Sequence, residues 1–266
     1  MTTLTAYIEG IGLLGPGLND WPTGCAILRG DTAYQFQPTL LQAPPSLPAA
    51  ERRRCGPMVK LSLAVGHEAA AMAGLDVTTL PTVFSASGGD GKNCDEICTM
   101  LASDDRLISP TRFHNSVHNA AAGYWSIATG AMASSSVLCA YDASFGAGLL
   151  EALAQVAVDR TPCLLIASDT RYPEPLNAAR PIAAEFAVAL ALVPARSAQS
   201  LAKITLRLTS APAGTMADAG LEQIRAHIPA ARSLPLLACL ARRESAALVI
   251  DYLHNCRLAV DLSPCS

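Results

Sequence analysis

Cys139, Tyr141 and Ser144, three side chains that could carry acyl-transfer chemistry, fall within six residues of one another. A short apolar strand over 137–140 leads there into a turn of small residues, then into an alanine-rich amphipathic helix over 146–159. Acyl-transfer enzymes use that geometry, because a side chain at the turn sits beside backbone N–H groups at a helix N-terminus. A thiol or hydroxyl at the bend would attack a thioester or ester carbonyl. Ser144 stands in Ala143-Ser144-Phe145-Gly146, without the leading glycine of a G-x-S-x-G elbow. Ser85 and Ser87 are the other hydroxyl candidates. A serine elbow also needs a histidine further along the chain, and only His227, in a charged helix, and His254, in a predicted hairpin turn, follow.

Two pairs have metal-ligand spacing, His114-x-x-x-His118 and Cys94-x-x-x-Cys98. The histidines flank Asn115, Ser116 and Val117 after Ser-Pro-Thr, a poor helical context, and no third or fourth ligand can be nominated, so no metal is expected. Gly10-Ile11-Gly12-Leu13-Leu14-Gly15 matches G-x-G-x-x-G after a strand. A dinucleotide site needs a helix directly after the third glycine. Pro16 to Pro22 delay any helix, and no acidic residue closes a second strand at the right distance. A glycine-rich turn between strand and surface loop is the better account, and no cofactor is expected.

The elements that must position these residues follow from apolar periodicity. Strands are expected over 7–14, 82–86, 137–140, 163–168, 184–194 and 203–209, with a closing hairpin over 246–252 and 256–262. Helices are expected over 60–73, 93–102, 120–130, 146–159 and 216–227, with 108–119 irregular and 35–57 a surface excursion. Strands alternating with helices, and inner strands that are apolar throughout, indicate an α/β fold with a covered sheet.

Composition narrows the function classes. Hydrophobic residues are 51% and charged residues 15% of the 266, which suits a packed globule with a large partner surface and excludes disorder. The net charge of −3 is spread along the chain, so no nucleic-acid footprint emerges, and Arg52 to Arg54 read as a solvated helix face or local salt-bridge set. Nine cysteines without paired spacing argue against a disulfide framework and for a reducing cytoplasm. Cys25, Cys139 and Cys163 lie in apolar surroundings and read as buried small hydrophobes. MTTLTAYIEG has no charged n-region, and no run reaches 18 apolar residues, so neither a signal peptide nor membrane insertion is expected.

The chain resembles the β-ketoacyl synthase branch of the thiolase-like superfamily, and more narrowly the chain-length-factor subunits of aryl polyene biosynthesis. The carriers are TAYIEGIGLLGPG, SPTRFHNSVHNAAAGYWSIATG, SSSVLCAYDASFGAGLLEAL and CLLIASDT. The resemblance is good over about 5–195 and thin beyond. It implies a thiolase-like layered αβαβα fold in one truncated domain, a complete N-terminal half over 1–195 and an abbreviated second half over 196–266.

In condensing enzymes of the family the elbow reads approximately T-A-C-[AS]-[ST]-G, its cysteine attacking an acyl thioester. Aligning Cys139 to Ser144 with that pattern puts Tyr141 at the nucleophile and Cys139 two residues earlier, on the strand, buried and inert. A phenol is bulkier and far less acidic than a thiol and cannot stand in for a thiolate. The rival register, with Cys139 as nucleophile, needs a slip of two residues, which preserves side-chain facing. The family's two C-terminal histidine motifs are absent, so Claisen condensation is not expected.

The resemblance therefore implies a subunit that is no enzyme on its own. It would pair with a full-length catalytic ketosynthase and reach acyl carrier protein through that complex. The strand before the elbow, with Ser135, Ser136, Val137, Leu138 and Cys139, would pair across the interface. The loop bearing Arg112, Phe113, His114, Asn115, Ser116, His118 and Asn119 would lie by the partner's acyl tunnel, with Arg112, Phe113 and His114 as a plug. Two rivals stay open: an independent acyltransferase or hydrolase using Cys139 or Ser144, and a scaffold that binds carrier protein only.

Overall fold

The computed structural model describes residues 3–182 and 184–265. In chain order its elements begin with β1 (Leu4–Leu14), α1 (Trp21–Arg29), α2 (Ala49–Arg54), α3 (Pro57–Ala73) and β2 (Thr82–Ser85). Next come α4 (Gly91–Ala102), α5 (Pro110–His114), α6 (Ala120–Thr129) and β3 (Ser135–Leu138). A 3₁₀ turn (Tyr141–Ala143) precedes α7 (Ser144–Asp159), β4 (Cys163–Asp169), α8 (Leu176–Ala179) and β5 (Phe186–Val193). The chain closes with β6 (Ala202–Thr209), α9 (Ala219–His227), a 3₁₀ turn (Pro229–Ser233), α10 (Leu234–Arg242), β7 (Ala246–Leu253) and β8 (Cys256–Pro264).

The strands form one eight-stranded sheet in the order β3-β2-β4-β5-β1-β6-β8-β7. β2 runs parallel to β3 and β4, while the other pairings are antiparallel. Every residue of β4 and β5 is buried, because helices cover both faces of these central strands. Odd and even positions part cleanly. Leu165, Val188, Leu190 and Leu192 join the core beneath α7 and α10. Leu164, Ile166, Ala187, Ala189 and Ala191 join the core beneath α3 and α6. The α/β expectation is met. The last three strands extend the sheet beyond β1 rather than covering it as a separate layer.

The glycines of β1 have a packing cause. A Cβ on Gly10 would lie 2.0 Å from the Ala69 carbonyl oxygen, and one on Gly12 2.0 Å from that of Val65. The bare strand face lets α3 lie directly against β1. Gly10 and Gly12 thus sit inside β1, within the strand expected over 7–14.

Other expectations shift in detail. α1 lies outside the expected helices. It is capped by Asp20, whose Oδ1 accepts from Thr23 N at 2.7 Å, and it ends at Gly30 with φ 90°. α10 is a further helix outside those expected; its Leu234, Leu236, Leu237 and Leu240 are buried and it packs chiefly on α1. Residues 110–114 are a short helix rather than irregular chain. The strand before the elbow ends at Leu138, not Ala140.

Candidate functional site

The elbow is built from β3, the 3₁₀ turn and α7, braced from beneath by the end of β2. Tyr141 carries φ 54°, the left-handed region that non-glycine side chains rarely occupy, so the bend of the chain falls on this residue. Ser144 locks the bend. Its hydroxyl shares one proton between the carbonyls of Tyr141 at 2.7 Å and Ala86 at 3.1 Å, and accepts from Ala140 N at 3.1 Å. Ser85 Oγ donates to the Ser144 carbonyl at 2.5 Å. Both serines are buried and engaged, so neither is a free nucleophile.

Cys139 corrects an expectation. Its thiol is exposed, because β3 ends one residue before it and its side chain lies outside the sheet. Sγ donates to the Ser87 carbonyl at 3.2 Å. Cys25 is half-buried rather than buried, whereas Cys163 is buried as expected, and burial pushes its thiol up to about 12.

Tyr141 itself is 60% exposed on one side and covered on the other by Arg180, whose guanidinium carbon is 3.7 Å from the ring centre. Arg180 Nη1 donates to Tyr172 Oη at 2.7 Å, and Nη2 bonds Asp142 Oδ1 at 2.6 Å. Charges then alternate outward. Arg232 lies 3.5 Å from Asp142 and 4.0 Å from Asp251, and Arg225 bridges Asp251 at 2.9 Å and Glu222 at 2.7 Å. The network ties the bend to β7 and α9.

Beneath it, fully buried Asp169 accepts from Ser87 N at 2.9 Å, Ser87 Oγ at 2.5 Å and Ala230 N at 2.7 Å. Burial pushes its carboxyl up to about 6, against the pull of these donors. An acidic residue closing the apolar run CLLIASDT was a readable signal for this position. Nothing in the local sequence marked Arg180 or Arg232.

Neither downstream histidine reaches the bend. His227 Nδ1 bonds the Gln223 carbonyl at 2.8 Å, one turn back in its own helix. His254 is exposed in the turn between β7 and β8. Among the described residues neither is hydrogen-bonded to Tyr141, Cys139 or Ser144, and no cluster of His, Cys, Asp or Glu is placed to hold a metal. The bend therefore presents a clamped phenol, with no hydrogen-bonded base to activate it or the exposed thiol beside it.

The segment before α6 is hydrogen-bonded to its neighbours and presents an apolar tip. Phe113 is 69% exposed, and His114 is exposed with its ring 6.3 Å edge-on from Tyr124. Arg112 pairs with Glu96. Asn115 is buried, donating to the Arg54 carbonyl at 3.0 Å and accepting from Tyr124 Oη at 3.2 Å. Ser116 Oγ donates to the Phe113 carbonyl at 2.8 Å. Asn119 is exposed, and His118 Nε2 is buried without a hydrogen-bond partner among the described residues.

The two ends of the sheet differ. β3 has β2 as its single strand neighbour, and Ser135, Ser136, Val137 and Leu138 are exposed or half-buried along it. Along β7, Gly214 N donates to the Val249 carbonyl at 2.9 Å, so a loop crosses that edge. A cavity of about 550 Å³ lies elsewhere, beside α3 at His67 and Glu68. Burial pushes the Glu68 carboxyl up and the His67 imidazole down there.

The family described as beta-ketoacyl synthase, N-terminal domain, matches residues 30–254. Among curated proteins no sequence matches the chain. Among solved structures, it is similar to a chain of the ketosynthase (ApeO) in complex with its chain length factor (ApeC) from Xenorhabdus doucetiae. That likeness has TM-score 0.71 and 23% identity, covering 97% of this chain and 99% of that one. A chain of the AntDE:AntF assembly, a type II acyl-carrier protein in complex with its hexaketide-bound ketosynthase, gives TM-score 0.77 at 13% identity, covering 99% and 100%. Ketosynthase twelve of the bacillaene polyketide synthase from Bacillus amyloliquefaciens gives 0.57 at 15%, covering 84% of this chain but 49% of that one. At these identities the likeness is one of fold.

Proposed function

This chain belongs to the family described as beta-ketoacyl synthase, N-terminal domain, and from that premise we propose that it is a non-catalytic chain-length-factor subunit. It pairs with a full-length catalytic ketosynthase that extends acyl chains on a carrier protein, in biosynthesis of the aryl polyene type. The observation that carries the reading is the bend itself. The left-handed backbone position holds Tyr141 under Arg180, where the family's condensing enzymes place a cysteine.

Condensation needs a nucleophile, a base and oxyanion donors together. A phenol stacked beneath a guanidinium, with no imidazole bonded to it, supplies none of the first two. The one-domain division into 1–195 and 196–266 belongs to the same reading.

The sheet edges support a heterodimer. An apolar strand left open at one edge is an aggregation hazard unless a partner pairs with it. β3 is open while a loop crosses the β7 edge, so β3 is the edge that pairs with the catalytic subunit. Ser135 to Cys139 then lie in the interface, and Arg112, Phe113 and His114 face the partner's acyl tunnel. Co-expression with a full-length ketosynthase tests this. A stoichiometric complex is expected, and a chain that purifies alone or as a self-paired dimer in the partner's presence overturns it.

The exposure of Cys139 favours a second reading, an acyltransferase that uses this thiol. Incubation of the purified chain with an acyl thioester separates the two, since that enzyme would carry a stable acyl mass on Cys139.

A further inference from the structure

The loop after α4 combines two properties that rarely occur together. Its tip is an exposed aromatic ring at the end of α5, and hydrogen bonds from neighbouring elements hold the chain on both sides of that ring. Phe113 N donates to the Ser109 carbonyl at 3.0 Å, and its own carbonyl accepts from Ser116 Oγ at 2.8 Å. On one side of it, the Arg112 carbonyl accepts from Asn93 Nδ2 at 2.9 Å. On the other side stands Asn115, which is buried and bonded through both ends of its amide. Nδ2 donates to the Arg54 carbonyl at 3.0 Å, and Oδ1 accepts from the buried Tyr124 hydroxyl at 3.2 Å.

Both amides reach outside the loop. Asn93 belongs to α4, and Arg54 is the last residue of α2. The loop is thus held from α2, α4 and α6 at the two positions that flank the ring. A floppy loop with an apolar tip would fold the ring back onto the protein. Holding the ring outward has a purpose only if its position matters to something else, because binding improves when the ordering cost is already met.

We propose that Asn115 and Asn93 are positioning residues for chain length. They fix how far Phe113 projects, and that projection sets where a growing acyl chain in the catalytic partner stops. This rests on the heterodimer reading given above. Neither amide meets substrate, and each acts through the ring it holds.

The test uses the co-expressed complex with the Asn115→Asp, Asn93→Ala, Phe113→Ala and Phe113→Ala/Asn115→Asp forms of this subunit. Asn115→Asp keeps the acceptor for Tyr124 and removes the donor to Arg54. Complex yield and the distribution of product lengths are both read. The expected result is an unchanged complex in which the off-length product fraction rises about fivefold, the ratio that one lost hydrogen bond converts to. Phe113→Ala should shift the distribution at least as far, and the double variant should equal Phe113→Ala, since the amide acts through the ring.

A wild-type chain that forms no complex overturns the heterodimer reading and this inference with it. A complex in which Phe113→Ala shifts the lengths while both asparagine variants leave them unchanged overturns the inference alone. Lowered total product at unchanged length distribution gives the asparagines a merely structural role and also overturns it. Should Asn115→Asp fail to fold, Asn93→Ala and Tyr124→Phe each remove one donor and carry the same readout.

Discussion

Arg180 lies over the Tyr141 ring at 3.7 Å while bonding Asp142 at 2.6 Å and Tyr172 at 2.7 Å. One side chain thus closes the bend from above and ties it to the segment that leads into β5. A planar guanidinium can stack on a ring and hold a carboxylate at once, which an ammonium cannot. The arrangement makes the bend a braced structural joint.

Removing that brace should cost stability rather than activity. Arg180→Ala is expected to lower the urea midpoint by an amount equivalent to about 2 kcal/mol, and Arg180→Lys to recover less than half of it. Equilibrium unfolding of the three proteins checks this, and full recovery by lysine would contradict the stacking account.

Cys139 offers a reporter of the interface. In the isolated chain its exposed thiol should react with iodoacetamide alongside exposed Cys94 and Cys98. In the complex Cys139 should be protected while Cys94 stays reactive, and Cys139→Ala should leave condensation by the partner intact. Peptide mass mapping before and after assembly reads the first, and equal labelling in both states would place the interface elsewhere.

The open edge can be tested without breaking a ladder bond between β2 and β3. β3 pairs with β2 through alternate residues, with the Leu138 carbonyl accepting from Ala86 N, so the N–H of Val137 points away from β2. Val137→Pro removes that outward donor and no ladder bond. Loss of the complex is expected by size exclusion, with an isolated-chain melting temperature near wild type. A complex that survives the proline would show that β3 is not the pairing edge.

Asp169 gives the protein an unusual pH term. Its carboxyl is raised from 3.8 to about 6 by burial. Between those values the folded state holds a proton that the unfolded chain has released, so this term stabilises below about pH 4 and is lost as pH rises through about 6. The loss amounts to up to about 3 kcal/mol. Asp169→Asn removes it, so the wild type's stability relative to the variant should fall between pH 4 and 7. Urea titrations at four pH values measure the difference, and a flat or rising difference would contradict it.

Gly10→Ala and Gly12→Ala should each destabilise by about 3 kcal/mol, because the added methyl meets a helix carbonyl that cannot move aside. Thermal melts check this, and a neutral alanine at either position would mean that α3 does not lie directly on β1.

How much of this was legible beforehand follows from the reach of each interaction. The long buried strands, α3, α6 and the bend with Tyr141 were readable from residue order, because apolar periodicity and turn chemistry are local. That neither of the family's two C-terminal histidine motifs is present was readable from residue order as well. Only tertiary structure decided that Cys139 is exposed, since that depends on β3 ending two residues early at a sheet edge. It alone brought Arg180 onto Tyr141, Asp169 onto Ala230 and Asn115 onto Arg54, contacts between residues 39, 61 and 61 positions apart in the chain. It also showed the glycines of β1 to be a seat for α3. Sequence spacing carries local periodicity, whereas partners distant in the chain meet only once the sheet order is set.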